Sequence, residues 1–140
     1  MTAVAPSAVA FRDGTIPEEL THDQIKEIIR AFADAAVRIK KAGFDGVEVH
    51  AAHGYLLNQF YSPLMNKRED EYSIKTMENR TRLHKEVVQA VRKAVGDDFT
   101  VAFRFGACDY LEGGSEIRDI PEAINHLEHA GVDMIDITTA

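Results

Sequence analysis

The stretch Gly43-Phe44-Asp45-Gly46-Val47-Glu48-Val49-His50 decides the fold, because a short β-branched run follows directly on a helix stop. Val47 and Val49 alternate with polar neighbours, the pattern of a strand. Upstream, Ile25, Ile28, Ile29, Phe32, Ala35, Ala36 and Ile39 recur at helical spacing and mark one buried stripe. Thr21 and Gln24 form a capping box in which hydroxyl and amide each satisfy a free N–H group. Lys40 and Lys41 suit the negative end of that helix, and Gly43 supplies its stop. The unit is helix, glycine, strand.

The same grammar recurs twice. A second helix is expected over residues 78–95, with Leu83, Val87, Val88, Val91 and Val95 on one face, Gly96 as its stop and a strand over 100–105. A third starts near Asp119 with Pro121 in its first turn, buries Ile124, Leu127 and Ala130, stops at Gly131 and leads into a strand over 134–138. Residues 1–20 carry Pro6 and Pro17 without a sustained period. They are expected as loop, with a short hairpin around Arg12-Asp13-Gly14.

Three such units in succession require parallel strands with right-handed crossovers, in an open sheet or a barrel. No Gly-x-Gly-x-x-Gly opens a helix after a strand, and there is no P-loop. Polar residues sit at the strand ends, namely His50, Arg104 and Thr138-Thr139, as on the active face of a barrel. The expected fold is α/β, a partial TIM (β/α)₈ barrel of about three consecutive parallel βα units. A whole barrel needs eight strands and about 250 residues, so residues 1–140 are expected to be a fragment of one.

The 140 residues are 45% hydrophobic and 28% charged, with a net charge of −7. Acidic balance, with Lys and Arg interspersed among acids, argues against nucleic acid as a partner. No apolar run is long enough for a membrane span, and the first residues lack the pattern of a signal peptide. The single cysteine, Cys108, is expected as a small buried side chain in a reducing cytoplasm.

The chemistry concentrates in His50-Ala51-Ala52-His53-Gly54-Tyr55. Two histidines leaving a strand end on small residues can aim both rings into one pocket, and two imidazole N–H donors on one oxygen would stabilise developing negative charge. Tyr55 adds a phenol, a weak acid suited to protonating a basic carbon. By spacing alone the histidines serve equally well as structural hydrogen-bonders, and a His-x-x-His pair can also ligate a metal. The segment has no Glu after its first His and no nearby Cys, unlike zinc peptidase motifs.

The stretch from Ala42 to Phe60 closely resembles the old yellow enzyme, or NADH:flavin oxidoreductase, family. So do Ser62-Pro-Leu-Met-Asn-Lys-Arg68, Asp70-Glu-Tyr72, Glu78-Asn-Arg80, the strand holding Arg104, and Ala130-Gly-Val-Asp-Met-Ile-Asp136. The likeness covers essentially the whole chain. It implies FMN across the C-terminal mouth of a barrel and NAD(P)H-driven reduction of an activated alkene, a small molecule. It implies that His50 and His53 bind the substrate oxygen, that Tyr55 is the proton donor, and that Arg104 contacts the flavin; an ion pair between Arg104 and a neighbouring acid is the competing reading. In the family, earlier strands and the last two supply most flavin and phosphate contacts. The isolated chain is therefore expected to bind FMN weakly or not at all, and to be inactive alone. A non-catalytic, self-associating barrel fragment is the alternative, with a second copy or a complementing barrel segment as partner. One departure stands out: Ser73-Ile74-Lys75-Thr76-Met77 lacks the family's glycines, so a positive φ there would be strained.

Overall fold

A computed structural model describes residues 2–139. Thr21 caps α1 (His22–Lys41) as expected: its hydroxyl accepts from the Gln24 N–H, and the Gln24 side chain accepts from the Thr21 N–H. A left-handed Gly43 then turns the chain into β3 (Gly46–Ala51). α2 (Leu56–Tyr61), α3 (Met77–Arg80) and α4 (Arg82–Val95) follow, then β4 (Thr100–Cys108). A 3₁₀ turn (Ile117–Asp119) opens α5 (Ile120–Ala130), Gly131 ends it in the left-handed region, and β5 (Met134–Thr139) follows. Two short strands, β1 (Val4–Ala5) and β2 (Glu18–Glu19), precede all of these.

β3, β4 and β5 form a parallel sheet in that order. Val49 pairs with Phe103 and Phe103 with Ile135; His50 pairs with Arg104 and Arg104 with Asp136. Because side chains alternate across a strand, the two rows face opposite ways. Val49, Val101, Phe103 and Phe105 are buried together with Leu83, Val87, Val88 and Val91 of α4 and Leu127 of α5. Each such side chain contributes about 1.5–3 kcal/mol of burial. The opposite row carries His50, Arg104 and Asp136. It is the face on which the candidate site residues stand, and the helices pack behind it.

Two polar residues shape this core. His84 of α4 is 1% exposed, its ring among those of Tyr61, Phe103 and Phe105. Neither ring nitrogen has a hydrogen-bond partner. Burial pushes the imidazole down to about 3; the Leu57 backbone, close but outside hydrogen-bond geometry, opposes this, and the Arg80 charge adds to it. Arg92, also on α4, donates to Gly96 O (2.9 Å), Phe99 O (2.7 Å) and Gly131 O (3.0 Å), and pairs with Asp133. Asp133 in turn accepts the Val101 N–H at 2.8 Å. One guanidinium thus fastens the turn before β4 to the turn before β5.

Several expectations need correction. Residues 1–20 are not all loop, and the paired strands there are no hairpin. β1 and β2 run parallel, Val4 opposite Glu18, because the Glu18 and Leu20 N–H groups reach back to Ala3 O and Ala5 O. Arg12-Asp13-Gly14 does form a tight turn, closed by the Phe11 N–H on Thr15 O. Arg68 fixes the segment, donating to Pro6 O and Leu20 O. The helix expected over 78–95 is split at Thr81 (φ −96°, ψ 0°). There the Thr81 hydroxyl bonds back to Met77 O, while the buried Arg80 turns aside to reach Tyr61 O (2.7 Å) and Asp119 (2.9 Å). Ile39, at the outer end of the α1 stripe, is 36% exposed. Residues 73–77 avoid positive φ, and Thr76 caps α3 through the Asn79 N–H.

Candidate active site at the end of the central strands

β3 ends at Ala51, and the chain passes through Ala52, His53 and Gly54 into α2. His53 (φ 57°) and Gly54 (φ 73°) both adopt the left-handed region. For a histidine this costs on the order of 1 kcal/mol and persists only where surroundings impose it. Asn58 is the main restraint. Its Oδ1 accepts the Gly54 N–H at 2.8 Å, and its Nδ2 donates to Gly106 O of β4 at 3.0 Å. Gln59 Nε2 adds a bond to Gly54 O at 2.7 Å. Gly106 must be small for this: a Cβ there would lie 2.8 Å from Asn58 Nδ2 and 2.9 Å from Ala52 Cα.

The restrained turn brings the expected residues together. The His50 and His53 ring centres are 5.2 Å apart, and the Tyr55 ring lies 5.4 Å from His50. His53 Nε2 approaches Thr138 Oγ1 of β5 at 3.3 Å. Tyr55 is 64% exposed, leaving its phenol free to meet a ligand. Arg104 stands in register with His50 on the same sheet face. Its Nε is 3.5 Å from Asp136 Oδ2, and that Nε is buried without a hydrogen-bond partner. The acid that an ion-pair reading required is therefore present, and the Arg104 side chain still keeps 38% of its surface exposed.

Beside His53 opens a groove between the 10–12 turn and α2, lined by Phe11, Arg12, His53, Gln59, Met65 and Leu111 among others. Asp109 also lines it, held by the Ser62 hydroxyl (2.8 Å) and the Ser115 N–H (2.7 Å). Cys108 is buried at the end of β4, as expected. Away from this face, His22 Nε2 lies 3.4 Å from Asp70 Oδ2 and 3.2 Å from Glu71 Oε1, an arrangement of donor atoms that suits a cation. Burial alone would raise the Asp70 pKa, but hydrogen bonds from Arg68 and the Tyr72 N–H outweigh it and hold the carboxyl below its ordinary value. Asp70 is thus already satisfied, and the group acts as a tie between α1 and the following loop.

Reading the sequence for chemistry missed Asn58, Gln59 and Asp136. The available signal for Asn58 was its place between Leu57 and Phe60, a polar side chain on the face that α2 buries. Asp136 carries no local signal of its role, because its partner Arg104 is set by strand register.

Comparison with known proteins completes the description. Residues 3–140 match the family model described as the NADH:flavin oxidoreductase / NADH oxidase family. An NADPH dehydrogenase of Clostridium acetobutylicum is 50% identical over 135 residues, which are 96% of this chain and 39% of that protein. An NADH oxidase of Thermoanaerobacter brockii is 45% identical over 136 residues, covering 96% of this chain and 21% of that one. The solved structure of an old yellow enzyme homologue from Zymomonas mobilis superposes with a TM-score of 0.82 at 31% identity, over 98% of this chain and 42% of its own. The chain therefore spans well under half the length of these relatives, and its parallel βα units are part of their TIM barrel.

Proposed function

Since this chain belongs to the NADH:flavin oxidoreductase / NADH oxidase family, we propose that it carries the substrate-holding part of an FMN-dependent reductase of activated C=C bonds driven by NAD(P)H. The observation that carries this reading is the convergence of His50, His53 and Tyr55 at the end of β3, with Arg104 in register beside them. His50 and His53 bind the carbonyl or nitro oxygen of the alkene, where two donors favour negative charge as it develops. Tyr55, exposed beside His50, delivers the proton to the α-carbon. Arg104 fits FMN: its side chain is 38% exposed on this sheet face, a cation within reach of an acceptor-rich ring edge. When bound, FMN supplies the electron transfer between nicotinamide and alkene.

Coverage supports the second half of the proposal, that the isolated chain binds FMN weakly or not at all and is inactive alone. A barrel's phosphate site lies at its last βα loops, and the chain spans 39% of one relative and 21% of another. Two observations favour association with further strands, from a second copy or a complementing barrel segment. Among the described residues β3 and β5 each pair on one side only, and Met134 and Ile137 are 55% and 50% exposed. No helix among the described residues is long and apolar enough to cross a membrane, and the buried free Cys108 suits a reducing cytoplasm.

The test grafts residues 3–140 into the Clostridium acetobutylicum dehydrogenase in place of its matching segment. The chimera should be yellow and reduce cyclohexenone with NADPH, and His53→Ala should raise its KM. A yellow, folded chimera without turnover, or a His53→Ala chimera with unchanged KM, overturns the site assignment. The chain by itself should purify colourless, and stoichiometric bound FMN would refute its incompleteness.

A further inference from the structure

The groove beside His53 is not used by the chemistry above. It shares the His53-Gly54 wall with the candidate site and then runs out between the 10–12 turn and α2. Its lining divides by character. Phe11, Met65 and Leu111 are apolar, and Leu111 is 63% exposed, a side chain standing in water with nothing over it. Arg12, on the rim, is exposed and takes part in none of the ion pairs among the described residues, although most other arginines of the chain do. Gln59 lies between the two ends. Its amide nitrogen is committed to Gly54 O, while its amide oxygen is buried without a donor.

A groove that starts at His53, has an apolar wall of Phe11, Leu64, Met65 and Leu111 and includes an unpaired guanidinium suits a molecule with an apolar body and an anionic end. We infer that the groove is a subsite for the part of the substrate remote from the alkene, an extended apolar body ending in an anionic group held by Arg12. This inference rests on the proposed role of His50 and His53, and it narrows the substrate class to acceptors of that shape. Asp109 also lines the groove, its Oδ2 accepting from the Ser62 hydroxyl and the Ser115 N–H, and a carboxylate there directs an anionic group away from itself and towards Arg12. A fork-shaped guanidinium selects carboxylate or phosphate over neutral ends.

The experiment compares two enones on the isotopically labelled chain by NMR. 4-Carboxybenzylideneacetone carries a carboxylate at the far end of its aryl body, and benzylideneacetone lacks it. The carboxylated probe should bind at least threefold tighter and shift the amides of Phe11, Arg12, Gly54, Gln59 and Leu111. Arg12→Ala, at an exposed position that the fold does not depend on, should remove that advantage and leave the neutral probe unaffected. Equal affinities for the two probes, an advantage that survives Arg12→Ala, or shifts that leave the groove untouched overturn the subsite. The histidine ring signals separate this from the parent reading. A His50 ring, outside the groove, that responds to both probes while Phe11, Arg12 and Leu111 stay silent sinks only the subsite; a groove that responds while the His50 ring stays silent sinks only the oxygen-binding role.

Discussion

Replacing His84 with leucine should make the protein more stable and flatten its response to acid. The imidazole is fully enclosed by aromatic rings, and neither nitrogen finds a partner. Leaving a buried polar group unsatisfied costs about 1–3 kcal/mol, and an apolar side chain of similar volume removes that cost. The acid response follows from linkage. Burial lowers the folded pKa to about 3, against 6.5 for the free imidazole. Between those values the unfolded chain binds a proton that the folded chain refuses, so stability is present above the unfolded pKa and is lost as pH falls towards the folded one. At pH 5 the unfolded imidazole lies about 1.5 units below its midpoint, which costs the wild type about 2 kcal/mol relative to pH 7. His84→Leu should therefore gain about 1–3 kcal/mol at pH 7 and about 3–5 kcal/mol at pH 5. Urea melts at the two pH values read this directly. With a slope of about 2 kcal/mol/M, the midpoint should move by about 1 M at pH 7 and about 2 M at pH 5. The comparison with wild type cancels the titration of every other group. A variant less stable than wild type at pH 7, or one with the same pH slope, refutes the reasoning.

Two further substitutions probe the restraints on the candidate site and on the sheet beneath it. Asn58→Ala removes both ends of the link between Gly54 and Gly106; it should cost about 2–4 kcal/mol in chemical denaturation and speed amide exchange at Gly54 more than at α4. Unchanged exchange at Gly54 would show that the loop holds its conformation without Asn58. Arg92→Ala leaves several turn carbonyls without their charged donor and should cost about 2–4 kcal/mol. Arg92→Lys, which has no fork to reach separate carbonyls, should recover less than half of that loss.

The helix–glycine–strand alternation was legible because it is local. Ile25, Val87, Val91 and Leu127 carry their burial in their spacing, and Thr21, Gly43 and Gly131 mark ends by chemistry that acts within a few residues. The nearness of His50, His53 and Tyr55 was legible for a similar reason, since they share one turn. What escaped depends on contacts between distant positions. Val4 meets Glu18 across a loop, Arg92 reaches carbonyls 39 residues away, and Asn58 acts on a strand 48 residues downstream. The break at Thr81 belongs to the same class, because an apolar stripe continues across it while Arg80 is drawn towards Tyr61 and Asp119. His84 falls outside the marked stripe of α4, yet it is buried; the aromatic pocket that receives it is assembled from α2 and β4.

The Arg92 clasp divides the sheet into ends of unequal freedom. It binds the points where β4 and β5 begin, far along the strands from His53, Thr138 and the groove. Opening either lower turn breaks hydrogen bonds that also belong to the other, so the two should open in hydrogen exchange as one cooperative unit. Above it the charged tie between β4 and β5 is the single, half-exposed Arg104–Asp136 pair at 3.5 Å, and Thr138 meets His53 through one long contact. Side-chain fastening is therefore concentrated at the bottom, while the top relies on the backbone ladder that runs on to Cys108 and Thr139. A ligand meeting the strand ends near His50, Arg104 and Thr138 finds a rim with little side-chain fastening, standing on a base that is clasped.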